Sequence, residues 1–133
     1  MDKNIGMINT KFGWSWLFVA ILQAMFLGLY AFEPDWLGGY VSLQRRFLRL
    51  SHISFVALSL VNIFYGLSLD AANLSSRLKK TGSYLMIIAA VFMPAICLLS
   101  MANRFFQNLF FIPAISFACA IFIMAIGQLK RRQ

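Results

Sequence analysis

The chain has 133 residues, 61% of them hydrophobic and 12% charged, with a mean hydropathy of +0.76. Soluble domains carry about 25% charged residues, so a soluble enzyme or nucleic-acid-binding module is excluded despite a net charge of +8. The basic residues instead flank apolar runs, where they orient a chain in a membrane and meet lipid headgroups.

Four apolar runs, at about 14–32, 50–69, 82–102 and 109–127, each approach the ~20 residues that cross ~30 Å of hydrocarbon. Lipid offers no partner to free backbone groups, so these runs are expected to be helices. The expected fold is all-α: one integral membrane domain over residues 1–133, a bundle of four transmembrane helices with an interfacial loop at 33–49. The pieces between spans are too short to fold alone. The N-terminus shows no short h-region or A-x-A cleavage site, so the first span is expected to remain as an anchor.

Trp14 and Trp16 open the first span, and Tyr30 and Trp36 flank its far end, where amphipathic rings anchor helices at the interface. Within it, Gln23 and Gly28 suit packing against a neighbour. The first loop, EPDWLGGYVSLQRRFLR, is broken by Pro34 and Gly38-Gly39. From Ser42 onward it can be helical, which groups Arg45, Arg46 and Arg49 on one side. It is expected to lie on the membrane surface or to extend the second helix beyond the lipid.

The stretch RFLRLSHISF, residues 46–55, leads into the second span and contains the only histidine, His52. On a helix His52, Phe55, Ser59, Asn62 and Gly66 share one sector. Ser59, Asn62 and Gly66 make a small polar face suited to helix packing. The same face can also wall a cofactor or quinone pocket, since polar residues in membranes tend to be functional. His52 with Arg49 forms a candidate contact for a quinone or an anionic lipid headgroup. Ligation of a haem by two histidines would need a second one from a symmetry mate or another subunit, or a Met in its place.

The second loop, DAANLSSRLKKTGS, reads as a short polar connection. Met93, Cys97 and Met101 then follow at i, i+4 and i+8, with Met86, Ser100 and Arg104 on the same side. Such a stripe can bind Cu(I), but methionine is also a flexible filler of interfaces, and no metal site is expected. Cys97 and Cys119 lie in spans and read as small hydrophobes. Pro94 and Pro113 suggest kinks. The tight turn at 103–108 makes the last two helices a hairpin.

No acidic residue lies inside a span, which disfavours a proton-coupled exporter. One histidine and four acids cannot build most hydrolytic sites, so no catalytic residue, no enzyme activity and no cofactor of its own are expected. Eight basic residues (Lys3, Lys11, Arg77, Lys79, Lys80, Lys130, Arg131, Arg132) fall on the side of the termini and four (Arg45, Arg46, Arg49, Arg104) on the other. That asymmetry places both termini in the cytoplasm.

The stretch RRFLRLSHISFVALSLVNIFYG, followed by MPAICLLS and FFIPAIS, resembles a group of small, uncharacterised bacterial four-helix inner-membrane proteins associated with respiratory-chain genes. The resemblance covers about residues 45–116. It implies an inner-membrane protein linked to electron transfer, draws attention to His52, Asn62, Pro94 and Pro113, and transfers no catalytic residue. The expected function is therefore an accessory or assembly subunit of a membrane electron-transfer complex, packing on other subunits and contacting lipid or quinone. The alternatives are a homo-oligomeric small-solute carrier or channel with a polar path along Ser59 and Asn62, and a haem- or copper-binding membrane protein.

Overall fold

A computed structural model of the chain describes residues 5–30 and 32–130. Four long helices make up the fold: α1 (Ile5–Tyr30), α2 (Leu43–Leu69), α3 (Ser76–Ala102) and α4 (Phe111–Leu129), with short 3-10 segments at Trp36–Gly38 and Arg104–Leu109. All four spans have the length and apolar composition of membrane-crossing helices. The chain is a multi-pass, all-helical membrane bundle.

The first three helices begin well before the apolar runs do. Hydropathy marks where lipid starts, whereas a helix starts where its free N–H groups find a cap. Ser42, extended at φ −61° and ψ 152°, accepts from Arg45 N at 3.2 Å and starts α2 seven residues before the apolar run. Ser75 does the same for α3, accepting from Leu78 N at 3.4 Å. The expected interfacial loop at 33–49 therefore ends at Ser42, and its last seven residues are the first two turns of α2. The second loop likewise shortens to residues 70–75. A helix of 27 residues is about 40 Å long, so α2 and α3 protrude past the hydrocarbon.

Packing follows chain order. α1 lies along α2, α2 along α3 and α3 along α4, with a smaller contact between α1 and α3. α4 leans mainly on α3. It is tied to α2 by Tyr65, whose hydroxyl donates to Ala120 O at 3.2 Å, and by stacking of Phe47 on Phe110 at 6.3 Å.

Small residues set the spacing between α1 and α2, as expected where lipid supplies no hydrophobic drive and close approach must do the work. A Cβ on Gly6 would overlap the Gly66 carbonyl oxygen, and one on Gly66 would lie 2.5 Å from Thr10 Oγ1. A Cβ on Gly13 would lie 2.7 Å from Ser59 O. Ala20 continues the series and is fully buried. Gly28, by contrast, has nothing within 4 Å of its Cβ position and takes no part in packing.

Candidate functional site

Three residues after each small residue of α1 comes a polar side chain that reaches another helix. Gly6, Gly13 and Ala20 are followed by Asn9, Trp16 and Gln23, so the two sets repeat every seven residues on one face. Asn9 Nδ2 donates to Asn62 Oδ1 of α2 at 2.9 Å and to Ser83 O of α3 at 3.2 Å, while Ser83 Oγ donates to Asn9 Oδ1. Asn62 Nδ2 in turn donates to Leu58 O at 2.9 Å and to Met86 O at 3.4 Å. Asn9, Asn62 and Ser83 are buried, and together they join three helices at one level.

Trp16 Nε1 donates to Ala90 O at 2.9 Å. The partner has a clear origin: Pro94 has no N–H, so the Ala90 carbonyl four residues earlier loses its helical donor. The indole of α1 supplies the missing one. Trp16 also stacks on Phe12 at 5.3 Å and tilts against Phe55 at 5.2 Å. It was expected as an interface anchor beside Trp14, but α1 starts at Ile5, so Trp16 sits in the interior of a longer helix. Trp14 is the exposed ring. Replacing Trp16 by phenylalanine should cost about 1–2 kcal/mol, because a buried carbonyl is left unpaired. Pro94→Ala in that background restores an N–H to Ala90, so the double variant should be more stable than W16F alone in detergent denaturation. If P94A gives no rescue, the indole is not serving that carbonyl.

Gln23 Nε2 donates to Ser51 Oγ at 3.4 Å, but this end of the bundle is less completely paired. Four buried polar atoms lack partners among the described residues: Gln23 Oε1, Arg45 Nε, His52 Nδ1 and Ser100 Oγ. All four lie toward the end of the bundle that carries the first loop. Ser54 and Ser59, by comparison, return their hydroxyls to Leu50 O and Phe55 O one turn back.

At that end the chain folds a basic and aromatic cavity. Leu37, Gly38 and Gly39 all have positive φ (53°, 78° and 88°), and for Leu37 this conformation costs about 1–2 kcal/mol. The reversal brings Trp36 and Tyr40 back over the first turns of α2. Arg45 lies over the Trp36 ring at 5.5 Å and Arg49 over the Tyr40 ring at 4.4 Å, both within cation–π range. Arg45 Nη2 donates to Glu33 O, and Arg49 Nη2 to Tyr40 O at 3.4 Å. Leu27, Trp36, Tyr40, Arg45, Leu48 and Arg49 line a cavity of about 110 Å³.

Of the expected contact pair, Arg49 lines this cavity and His52 does not. His52 is half-buried one turn further along α2. The three arginines differ in burial: Arg45 is buried, Arg49 half-buried and Arg46 exposed. The residue that sequence reasoning missed as a site member is Arg45, because burial of a guanidinium depends on a loop conformation that composition does not reveal. Ser59, Asn62 and Gly66 all lie in the seam with α1, where Asn62 turns its amide on neighbouring helices and Ser59 returns its hydroxyl to its own. In α3, Met86 and Cys97 are fully buried and Met101 half-buried, while Arg104 lies past the end of the helix. Among the described residues no three His, Cys, Asp or Glu side chains converge as a metal site.

A second concavity of about 360 Å³ opens between α2 and α4. Ser54 and Ala57 of α2 face Pro113, Ala114 and Phe117 of α4 across it, and Ala89 and Met93 of α3 form its floor. It lies along the bundle between the Tyr65–Ala120 hydrogen bond and the Phe47–Phe110 stack. Compared with protein-family models, with curated proteins and with solved structures, the chain matches none.

Proposed function

We propose that the chain is an accessory or assembly subunit of a larger membrane electron-transfer complex, and that a transmembrane helix of a partner subunit seats its side chains in the groove between α2 and α4. The groove carries this reading. Small side chains, Ser54, Ala57, Ala89 and Ala114, open it between the bulkier Ile53, Leu58, Met93 and Phe117, and small residues are what allow membrane helices to approach closely. Beside it the exposed side of α4 continues with Ala114, Ala118, Ile121 and Ala125 at i, i+4, i+7 and i+11, a single stripe along that helix. The electron-transfer setting, the bacterial inner membrane and cytoplasmic termini rest on the resemblance of residues 45–116 and on the charge asymmetry.

A tagged chain extracted from its native membrane in gentle detergent should migrate on native gels with a complex far larger than its own 15.1 kDa. Ala114→Trp fills the groove from the rim of an exposed helix, so it should remove most of that co-migration while the purified variant keeps wild-type helicity and thermal stability. Migration of the wild-type chain alone, with the respiratory complexes lacking it, would sink the proposal.

A further inference from the structure

Arg45 is the only charged side chain that is buried among the described residues, at 6% exposed. Among the described residues no carboxylate pairs with it or with Arg49, the polar partner of Arg45 is a neutral carbonyl, that of Glu33, and its Nε has none. Removing an ion from water costs several kcal/mol unless an opposite charge compensates, and buried guanidinium groups are ordinarily paired. Here the buried guanidinium of Arg45 and the half-buried one of Arg49 border one cavity, beside the Trp36 and Tyr40 rings of a loop in a strained conformation. An anion is the species that would compensate this charge.

The remaining walls say what kind. Leu27 and Leu48 make one side of the cavity apolar, at the level where the first turns of α2 meet the start of the apolar span. An inorganic anion would gain nothing from that side. A neutral ring would leave both positive charges uncompensated. From this pairing of two guanidiniums with an aliphatic wall, we infer that the cavity binds one anionic phospholipid. The phosphate is shared between Arg45 and Arg49, whose planar forks suit phosphate oxygens. The glycerol and first methylenes lie against Leu27 and Leu48. The site is complete within one chain, so it stands whether or not the docking groove is occupied by a partner.

Native mass spectrometry of the whole chain, released from detergent micelles, tests this with phosphatidylglycerol, phosphatidylcholine and inorganic phosphate as probes. One phosphatidylglycerol per chain should be retained about tenfold more tightly than phosphatidylcholine, a difference of about 1.4 kcal/mol. Arg49→Gln should erase most of that preference, and Arg45→Gln should erase it fully. Arg45→Lys keeps the charge without the fork and covers the case in which R45Q does not fold; it should fall between wild type and R49Q. Lys80→Gln, at the opposite end, should change nothing. Equal retention of the two lipids, an unchanged preference in R49Q, or displacement of the lipid by millimolar inorganic phosphate would each overturn the inference.

Discussion

Gly66→Ala should be the most destabilising one-carbon change in the protein, at about 3–4 kcal/mol. The added methyl meets backbone, not a flexible chain end: Thr10 N lies 2.9 Å from the Cβ position and Thr10 Oγ1 2.5 Å, with the Gly6 carbonyl closer still. Relief requires α1 to move away from α2. Overpacking of this kind costs about 1–3 kcal/mol by itself. The displacement also stretches the Asn9–Asn62 hydrogen bond, one turn away on both helices, and a loosened buried pair adds about 1–2 kcal/mol. Gly28→Ala is the matched control, since it adds the same methyl to α1 where nothing stands within 4 Å. It should be neutral or stabilising by up to about 1 kcal/mol through helix propensity. Denaturation by SDS, followed by circular dichroism, reads both. Equal stability of the two variants would show that α1 and α2 do not approach as described.

Asn62→Leu should cost about 2–3 kcal/mol, more than a typical membrane hydrogen bond, which averages about 0.6 kcal/mol. The excess comes from Asn9. Once Asn62 is gone, an amide proton of Asn9 has no acceptor at a fully buried position, and such a group carries its full desolvation cost. The double variant Asn9→Leu/Asn62→Leu removes donor and acceptor together and should therefore cost clearly less than the sum of the single variants. A coupling of at least about 1 kcal/mol is expected from the cycle. Strict additivity would mean that the two amides do not share a hydrogen bond.

Much of the fold was legible because membrane spans announce themselves by length and composition, and the polar face Ser59–Asn62–Gly66 was visible from helical spacing alone. What lies opposite it was not. The partners Gly6, Asn9 and Gly13 precede the expected start of the first span, so the seven-residue repeat of α1 was cut before its first two members could be counted. For the same reason Trp16 looks from the sequence like an interface ring. Its actual partner, the Ala90 carbonyl, follows from Pro94, but only once α1 is known to lie against that stretch of α3. At the other end, the local sequence gives three arginines on the first turns of a helix. Which of them turns inward is decided by the left-handed reversal at Leu37–Gly39, and Leu37 is a residue whose sequence gives no hint of a positive φ.

The two ends of the bundle differ in a way that bears on function. One end is tied across three helices by amides and a hydroxyl whose donors and acceptors are used up inside the chain. The other end holds Arg45 Nε, His52 Nδ1, Gln23 Oε1 and Ser100 Oγ, which lack partners among the described residues. Under the proposed subunit role, external contacts are expected at that second end rather than at the internally satisfied one. His52 belongs to that second half, outside the arginine cavity.

The proposed seating of a partner helix between α2 and α4 is tested most directly by site-specific photocrosslinking in the native membrane. A benzophenone amino acid at Ala114 should give one discrete adduct with another membrane polypeptide, and the same probe at Ile8, on an exposed face of α1 away from the groove, should not. Adducts at Ala114 that contain lipid alone, or that match those from Ile8, would contradict a docking role for this chain.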